Sequence, residues 1–303
     1  MIESFSHNAP IQELDLRAFG VDASIHILRE DLLHPLISGN KYRKLHYYLL
    51  AAKKAGKEGL LSFGGRHSNH LQALSYAAKK FGFKSRALVR NPFKETTDTL
   101  SFCMRHDMLI ENLGYEEYRN RHQPDFIEKI KAKFPGFMII PEGGAGKLGE
   151  EGFKHLLSDH LKPFNTLVIA VGTGTSFLGL EKFRFPNQRV IGMSAVPEKY
   201  LPDSFVQIYG PQLNFSFVGK GYGKLDAELI DFIDEAWQAW NLLLDPVYTA
   251  KAMQGVIGEI KNEKLNPDNL LVIHTGGLQG FLGFKDEFPW VLDLLPQALV
   301  SKP

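Results

Sequence analysis

GLLSFGGRHSNHLQALSYAAKKFGFKSRALVR, residues 59–90, decides the fold. Its opening GLLSFGG (59–65) is an apolar run ending in a glycine pair, the pattern of a buried strand running into a tight turn. Ser68 stands at an N-cap position, and SNHLQALSYAAKKFG (68–82) spaces its apolar residues at helical period before a glycine stop. KSRALVR (84–90) is a second strand. Two strands joined through a helix are parallel, because a hairpin turn cannot make that connection.

The alternation continues on both sides. Strands are expected at MLIENL (108–113) and FMIIPEGG (137–144), with helices over 116–134 and 148–161, and these four strands make one small parallel sheet. TLVIAVGTGTSFLGL (166–180) holds an apolar strand, a glycine turn and a helix start. With RVIGMSA (189–195) and NLLVIHTGG (269–277) it belongs to a second sheet. Helices are expected at 41–56, 225–244 and 249–261, after an irregular start. The fold class is α/β, with two open, twisted, largely parallel sheets flanked by helices. The expected division is a large domain from 1–43 and 151–303 and a small one from 44–150, a size and number that 303 residues can support.

The net charge of +1, with basic residues spread along the chain, gives no footprint for nucleic acid. The one cysteine, Cys103, cannot pair within the chain, and no Cys/His spacing resembles a zinc site. His67 and His70 have no third ligand nearby in sequence. No secretory leader is visible, and no apolar run nears the roughly 20 residues of a bilayer span. A cytoplasmic protein with a small-molecule partner, no nucleic acid and no membrane is expected.

Open α/β sheets place ligands at the turns that follow their strands. Three turns stand out. Gly172, Thr173, Gly174, Thr175 and Ser176 follow an apolar strand and open a helix, so their N–H groups and the positive helix end suit a phosphate. There is no Walker lysine and no full GxGxxG spacing, and taken alone the turn also fits a plain connection. Gly64-Gly65-Arg66-His67-Ser68-Asn69 adds a hydroxyl and an amide to a similar turn. Ser38-Gly39-Asn40-Lys41 introduces the helix that carries Lys44. A lysine at a helix start is ordinarily a solvated charge, and it becomes a carbonyl nucleophile only when its surroundings remove its proton.

REDLLHPLISGNKYRKL (29–45), FGGRHSNHLQAL (63–74), VGTGTSFLGL (171–180), DPVYTAKAMQG (245–255) and HTGG (274–277) come together in one order and spacing. The chain resembles the 1-aminocyclopropane-1-carboxylate deaminase and D-cysteine desulfhydrase family, pyridoxal-phosphate enzymes of the tryptophan-synthase-β type (fold type II). The resemblance implies that Lys41 holds pyridoxal 5′-phosphate covalently and that Lys44 helps neutralise its phosphate in the Gly172–Ser176 cup. It also implies that Asn69 meets the 3′ oxygen and that Ser68 lies near the substrate carboxylate and Cα. His70 joins the substrate-binding set, Tyr222 and Tyr248 match two active-site tyrosines, and a homodimer is expected.

Deaminases of this family carry a glutamate after the DPVY tyrosine and a leucine in HLGG, where this chain has Thr249 and Thr275. Thr275 is the candidate contact to the pyridine nitrogen, and a neutral hydroxyl there leaves a weaker electron sink than a carboxylate does. The resemblance therefore favours β-elimination from a small D-amino acid such as D-cysteine, giving pyruvate, hydrogen sulfide and ammonia. The alternatives are 1-aminocyclopropane-1-carboxylate deamination and a cofactor-binding protein without turnover. Arg66 and His67 stand where the family has a small residue and a glutamine or tyrosine. GTGTS is less glycine-rich than the usual turn, and Lys224-Leu225 replace a proline-containing turn after Gly-Tyr-Gly.

Overall fold

A computed structural model describes residues 8–37, 39–90 and 96–300; Ser38 lies outside them. In chain order, β1 (Ile11–Asp15) and β2 (Ser24–Leu28) precede α1 (Asn40–Lys54), β3 (Gly59–Gly65), α2 (Asn69–Lys80), β4 (Lys84–Arg90) and α3 (Asp98–Arg105). There follow β5 (Met108–Leu113), α4 (Tyr115–Arg119), α5 (Pro124–Lys133), β6 (Phe137–Ile140), α6 (Lys147–Glu151), β7 (Thr166–Val171) and α7 (Thr175–Phe183). The chain ends through β8 (Arg189–Ser194), α8 (Asp203–Tyr209), β9 (Leu213–Asn214), α9 (Ala227–Trp240), α10 (Thr249–Lys261), β10 (Leu270–Ile273) and α11 (Gln297–Val300).

The strands form two sheets. One has the order β5-β4-β3-β6 with every pairing parallel. The other has the order β1-β2-β10-β7-β8-β9 and is parallel except for the antiparallel β1–β2 edge. Side-chain alternation gives each sheet two buried faces. In the small sheet Leu60 packs with Leu45, Leu49, Leu71 and Leu74 of α1 and α2, while Leu61 and Phe63 turn to Tyr118 and Ile130. In the large sheet Val168 and Val272 meet Phe232, Ile233, Met253 and Val256 of α9 and α10. Leu167, Ile169 and Val171 meet Phe153, Phe177 and Leu180 on the other face. The central strands β3, β7 and β10 are thus buried on both faces, as parallel strands flanked by helices require.

The structure corrects several sequence-based bounds. The N-terminal segment is not irregular: it supplies two strands, and β2 pairs with β10 near the centre of the large sheet. The helix expected over 116–134 breaks in two, because Pro124 cannot continue a helix and instead opens α5. The strand expected over 137–144 stops at Ile140, and Glu142–Gly144 form a tight turn. The helix expected over 148–161 is one short α-helix followed by 3-10 turns. Helices α3 and α8 had no counterpart in the sequence reading.

Candidate active site

Lys41 lies in the first turn of α1, and its surroundings are set by close backbone packing. A Cβ on Gly39 would lie 2.0 Å from the Thr275 carbonyl oxygen, so only glycine lets the two chains approach. Asn40 N–H donates to that carbonyl at 3.1 Å, and the Asn40 amide donates to Ser176 Oγ at 3.2 Å. Residues 39–41 are thereby tied to the turn after β10 and the turn after β7 at once. The Lys41 ammonium donates to Asn40 Oδ1 at 3.2 Å. Burial pulls its pKa from 10.5 to about 8, against the opposing charge of Asp245. An amine in that state is the carbonyl nucleophile that the sequence alone did not reveal.

Lys44, one turn further on, is 3% exposed and has no hydrogen bond or ion pair to any described residue. Burial first, and the Lys41 charge second, hold its pKa well below the usual lysine value. A buried cation without a partner is costly, and a bound anion removes that cost. Suitable anion donors are close. The Gly144 backbone covers the Lys44 side chain, while Gly143 abuts Thr173 and Gly149 abuts Thr175, so the 143–149 segment walls both the lysine and the Gly172–Ser176 turn. In that turn Thr175 and Ser176 are buried, Gly174 is the left-handed N-cap of α7, and no side chain caps the helix. Its first N–H groups stay available.

Asn69 and Ser68 open α2 on the facing sheet. The Ser68 hydroxyl caps the helix by accepting from Leu71 N–H at 3.3 Å, and the Asn69 amide donates to the Gly277 carbonyl at 3.3 Å. The two sheets therefore meet at their strand C-terminal edges, with Lys41 between them. His70 points elsewhere. Its side chain is buried, and Nε2 lies 2.8 Å from Ser62 Oγ, which donates to the Ile140 carbonyl. The imidazole must then donate from Nε2, and burial plus the charges of Lys41 and Lys44 keep it neutral.

Tyr248 ends the turn into α10, with its ring against Gly172 and its hydroxyl 2.9 Å from that of Tyr222. Burial raises both phenols, so both remain protonated at neutral pH. The Thr249 hydroxyl is engaged with the Asp245 carbonyl at 3.4 Å, whereas that of Thr275, a residue 6% exposed, has no partner among the described residues. Arg66 and His67 sit side by side at the outer rim, Arg66 Nε donating to His67 Nε2 at 3.2 Å.

Sequence reasoning missed three residues here. Asn40 is the stitch described above. Asp245 is fully buried and accepts from the N–H groups of Val247, Tyr248 and Thr249, fixing the start of α10. Glu142, held by Tyr118 and Arg121 at 2.6 Å each, lies near enough for its charge to help raise both phenols. The DPVY and PEGG motifs contained the signal, but nothing in them distinguished a buried carboxylate from a solvated one.

The geometry suits a flat anionic cofactor: a low-pKa lysine, an unpaired buried cation beside an uncapped helix N-terminus, and an unpaired buried hydroxyl. Comparison with known proteins agrees. A family profile described as pyridoxal-phosphate dependent enzyme matches residues 2–276. A putative 1-aminocyclopropane-1-carboxylate deaminase of Thermotoga maritima is 30% identical over 89% of this chain and 94% of its own length. A D-cysteine desulfhydrase of Salmonella choleraesuis is 26% identical over 93% and 95%. The crystal structure of an ACC deaminase homologue superposes with a TM-score of 0.77 at 25% identity, covering 95% of each chain. An O-acetylserine dependent cystathionine beta-synthase from Helicobacter pylori shares the fold, with a TM-score of 0.65 at 15% identity. The chain belongs to the pyridoxal-phosphate-dependent enzyme family, among relatives named for 1-aminocyclopropane-1-carboxylate deamination and D-cysteine desulfhydration.

Proposed function

We propose that this enzyme catalyses β-elimination from a small D-amino acid, with D-cysteine the leading substrate, yielding pyruvate, hydrogen sulfide and ammonia. Lys41 is the residue that holds pyridoxal phosphate. Lys44 and the Gly172–Ser176 N–H groups hold its phosphate, Asn69 its 3′ oxygen and Thr275 its pyridine nitrogen. The bound cofactor supplies the electron sink for the Cα carbanion. The chain's own part is proton handling and orientation. Lys41, once the substrate amine has displaced it from the cofactor, takes the Cα proton with its freed amine. The Cβ–S bond breaks, hydrosulfide leaves, and water converts the remaining enamine to pyruvate and ammonia. Ser68 and Asn69 receive the substrate carboxylate. Tyr222 and Tyr248, both neutral, line the leaving-group side.

The observation that carries this reading is the hydroxyl character of the two positions next to the cofactor. The buried carboxylate that acts on Lys41, Asp245, accepts from the N–H groups of Val247, Tyr248 and Thr249 and so serves to anchor the entry to α10. The buried Thr275 hydroxyl without a partner supports a neutral contact to the ring nitrogen, and a readily departing β-substituent needs no deeper sink. The relatives named as deaminases support ring opening as the second reading. Incubation of the purified holoenzyme with D-cysteine, L-cysteine and 1-aminocyclopropane-1-carboxylate separates the two. Sulfide and pyruvate from D-cysteine are expected; 2-oxobutyrate from the cyclopropane acid, with no sulfide from either cysteine, would overturn the reading.

A further inference from the structure

Apart from its ring and hydroxyl contacts with Tyr248, Tyr222 has little packing of its own. It is 54% exposed, it lies outside any helix or strand, and its neighbours Gly219, Gly221 and Gly223 all have positive φ. The loop's own turn bonds, Gly221 N–H to the Val218 carbonyl and Lys224 N–H to the Gly221 carbonyl, are long at 3.3 Å each, so glycines with that freedom leave it weakly held by itself. Something else must hold it, and one face of α10 does. The Lys251 ammonium is buried and donates to the Val218 carbonyl at 2.8 Å and the Gly221 carbonyl at 2.7 Å. Among the described residues it has no carboxylate partner at ion-pair distance; Asp226 and Asp245 act on it only as nearby charges.

Gly255 and Gly258 follow on the same helical face, at i+4 and i+7. Added Cβ atoms there would lie 3.1 Å and 2.5 Å from the ring of Phe217, so the two glycines form a notch that receives that ring. A buried cation thus grips the loop by two carbonyls, and a notch grips it by one aromatic side chain. Charge-assisted bonds of this length are the strong kind, and they act on backbone, so they fix the loop irrespective of its side chains.

We infer that Lys251 is a positioning residue of the active site: with the Gly255–Gly258 notch it docks the 216–223 loop on α10 and so sets the Tyr222 hydroxyl against Tyr248. This rests on the reading of Tyr222 and Tyr248 as substrate-side residues, but the docking itself is testable without any substrate. Lys220 and Lys224 flank Tyr222 and are exposed, yet trypsin needs the backbone around them released, not merely a visible side chain.

In the pyridoxal-phosphate holoenzyme, Lys251→Ala should speed tryptic cleavage after Lys220 or Lys224 at least about tenfold. Fragments identified by mass would show whether the gain is confined to this loop. Propylammonium chloride, which replaces the missing chain and its N–H donors, should restore protection, and tetramethylammonium chloride, which has no N–H, should not. With D-cysteine as substrate, kcat should fall about tenfold and recover with the same additive while cofactor absorbance stays constant. Unchanged cleavage in Lys251→Ala, or rescue by both ions alike, would overturn the proposal. If Lys251→Ala does not fold, Gly258→Ala decides: displacement of Phe217 with faster cleavage of this loop supports the docking, and wild-type protection overturns it. A wild type inactive on D-cysteine would count against the proposed substrate and leave the cleavage result standing.

Discussion

The turn after β7 and the turn after β3 are built alike, each a strand, a glycine pattern and a helix, but they differ in what satisfies the helix start. Ser68 caps α2 from within, accepting from Leu71 N–H. No side chain caps α7, whose N-cap is Gly174 and whose Thr175 and Ser176 are buried beside the walled-in Lys44. An uncapped helix start next to a buried lysine favours an anion, whereas a capped start gains less from one. In the proposed reading the phosphate goes to the large sheet, and the α2 turn, beside the Arg66–His67 pair, is left to the substrate. One side of the site is closed by backbone and the other by side chains. Cofactor chemistry should therefore tolerate few changes, and substrate choice should depend on several.

The harshest test falls on Lys41, where both sides meet. Lys41→Ala should lower turnover on the order of 10³-fold or more, since it removes covalent attachment and the Cα base together. Borohydride reduction of the wild-type holoenzyme followed by peptide mapping should place the adduct on Lys41. An adduct on any other lysine would break the assignment and the comparison with it.

A gentler pair of variants sharpens the contrast between the two sides. Lys44→Met removes a charge-assisted contact of about 1.5–3 kcal/mol, so cofactor dissociation should rise roughly 10–100-fold, read from absorbance after dialysis. Thr275→Leu should instead keep the cofactor and lower elimination about tenfold, because it alters only the ring contact. Equal cofactor loss in both variants would mean that the phosphate cup is not the main anchor.

Much of this architecture was legible. The 59–90 run and the apolar strand at 166–171 gave the parallel sheets, because a strand buried on both faces must be apolar throughout. What escaped had short or mixed signals: β1 reads Ile-Gln-Glu-Leu-Asp at a sheet edge and carries little apolar alternation. Gly149 and Gly152, packed against the carbonyls of Gly144 and Arg43, broke the helix expected after 148 for a tertiary reason invisible in the pattern. In the site, family motifs pointed to Lys41, Lys44 and the cup. Their electrostatics follow from burial and from neighbouring charges, and the parts played by Asp245 and Lys251 follow from burial and hydrogen bonds, which the sequence does not display.

The smallest expected effect concerns pH and uses the same burial. Burial lowers the folded Lys41 pKa to about 8 from 10.5. Below pH 8 both folded and unfolded chains carry this proton, and the folded state bears the full cost of a desolvated charge. Between about 8 and 10.5 the unfolded chain binds the proton and the folded chain does not, so stability rises with pH across this window. The Tm of cofactor-free wild type relative to Lys41→Ala should therefore climb from pH 8 upward. The amine is also the group that captures the cofactor, and with a pKa of about 8 its free fraction grows about tenfold from pH 7 to pH 9. Cofactor uptake, followed by absorbance under stopped flow, should accelerate by that factor with a midpoint near 8. A midpoint near 10 would show that Lys41 is hydrated before the cofactor arrives, and the cofactor side would then be no drier than the substrate side.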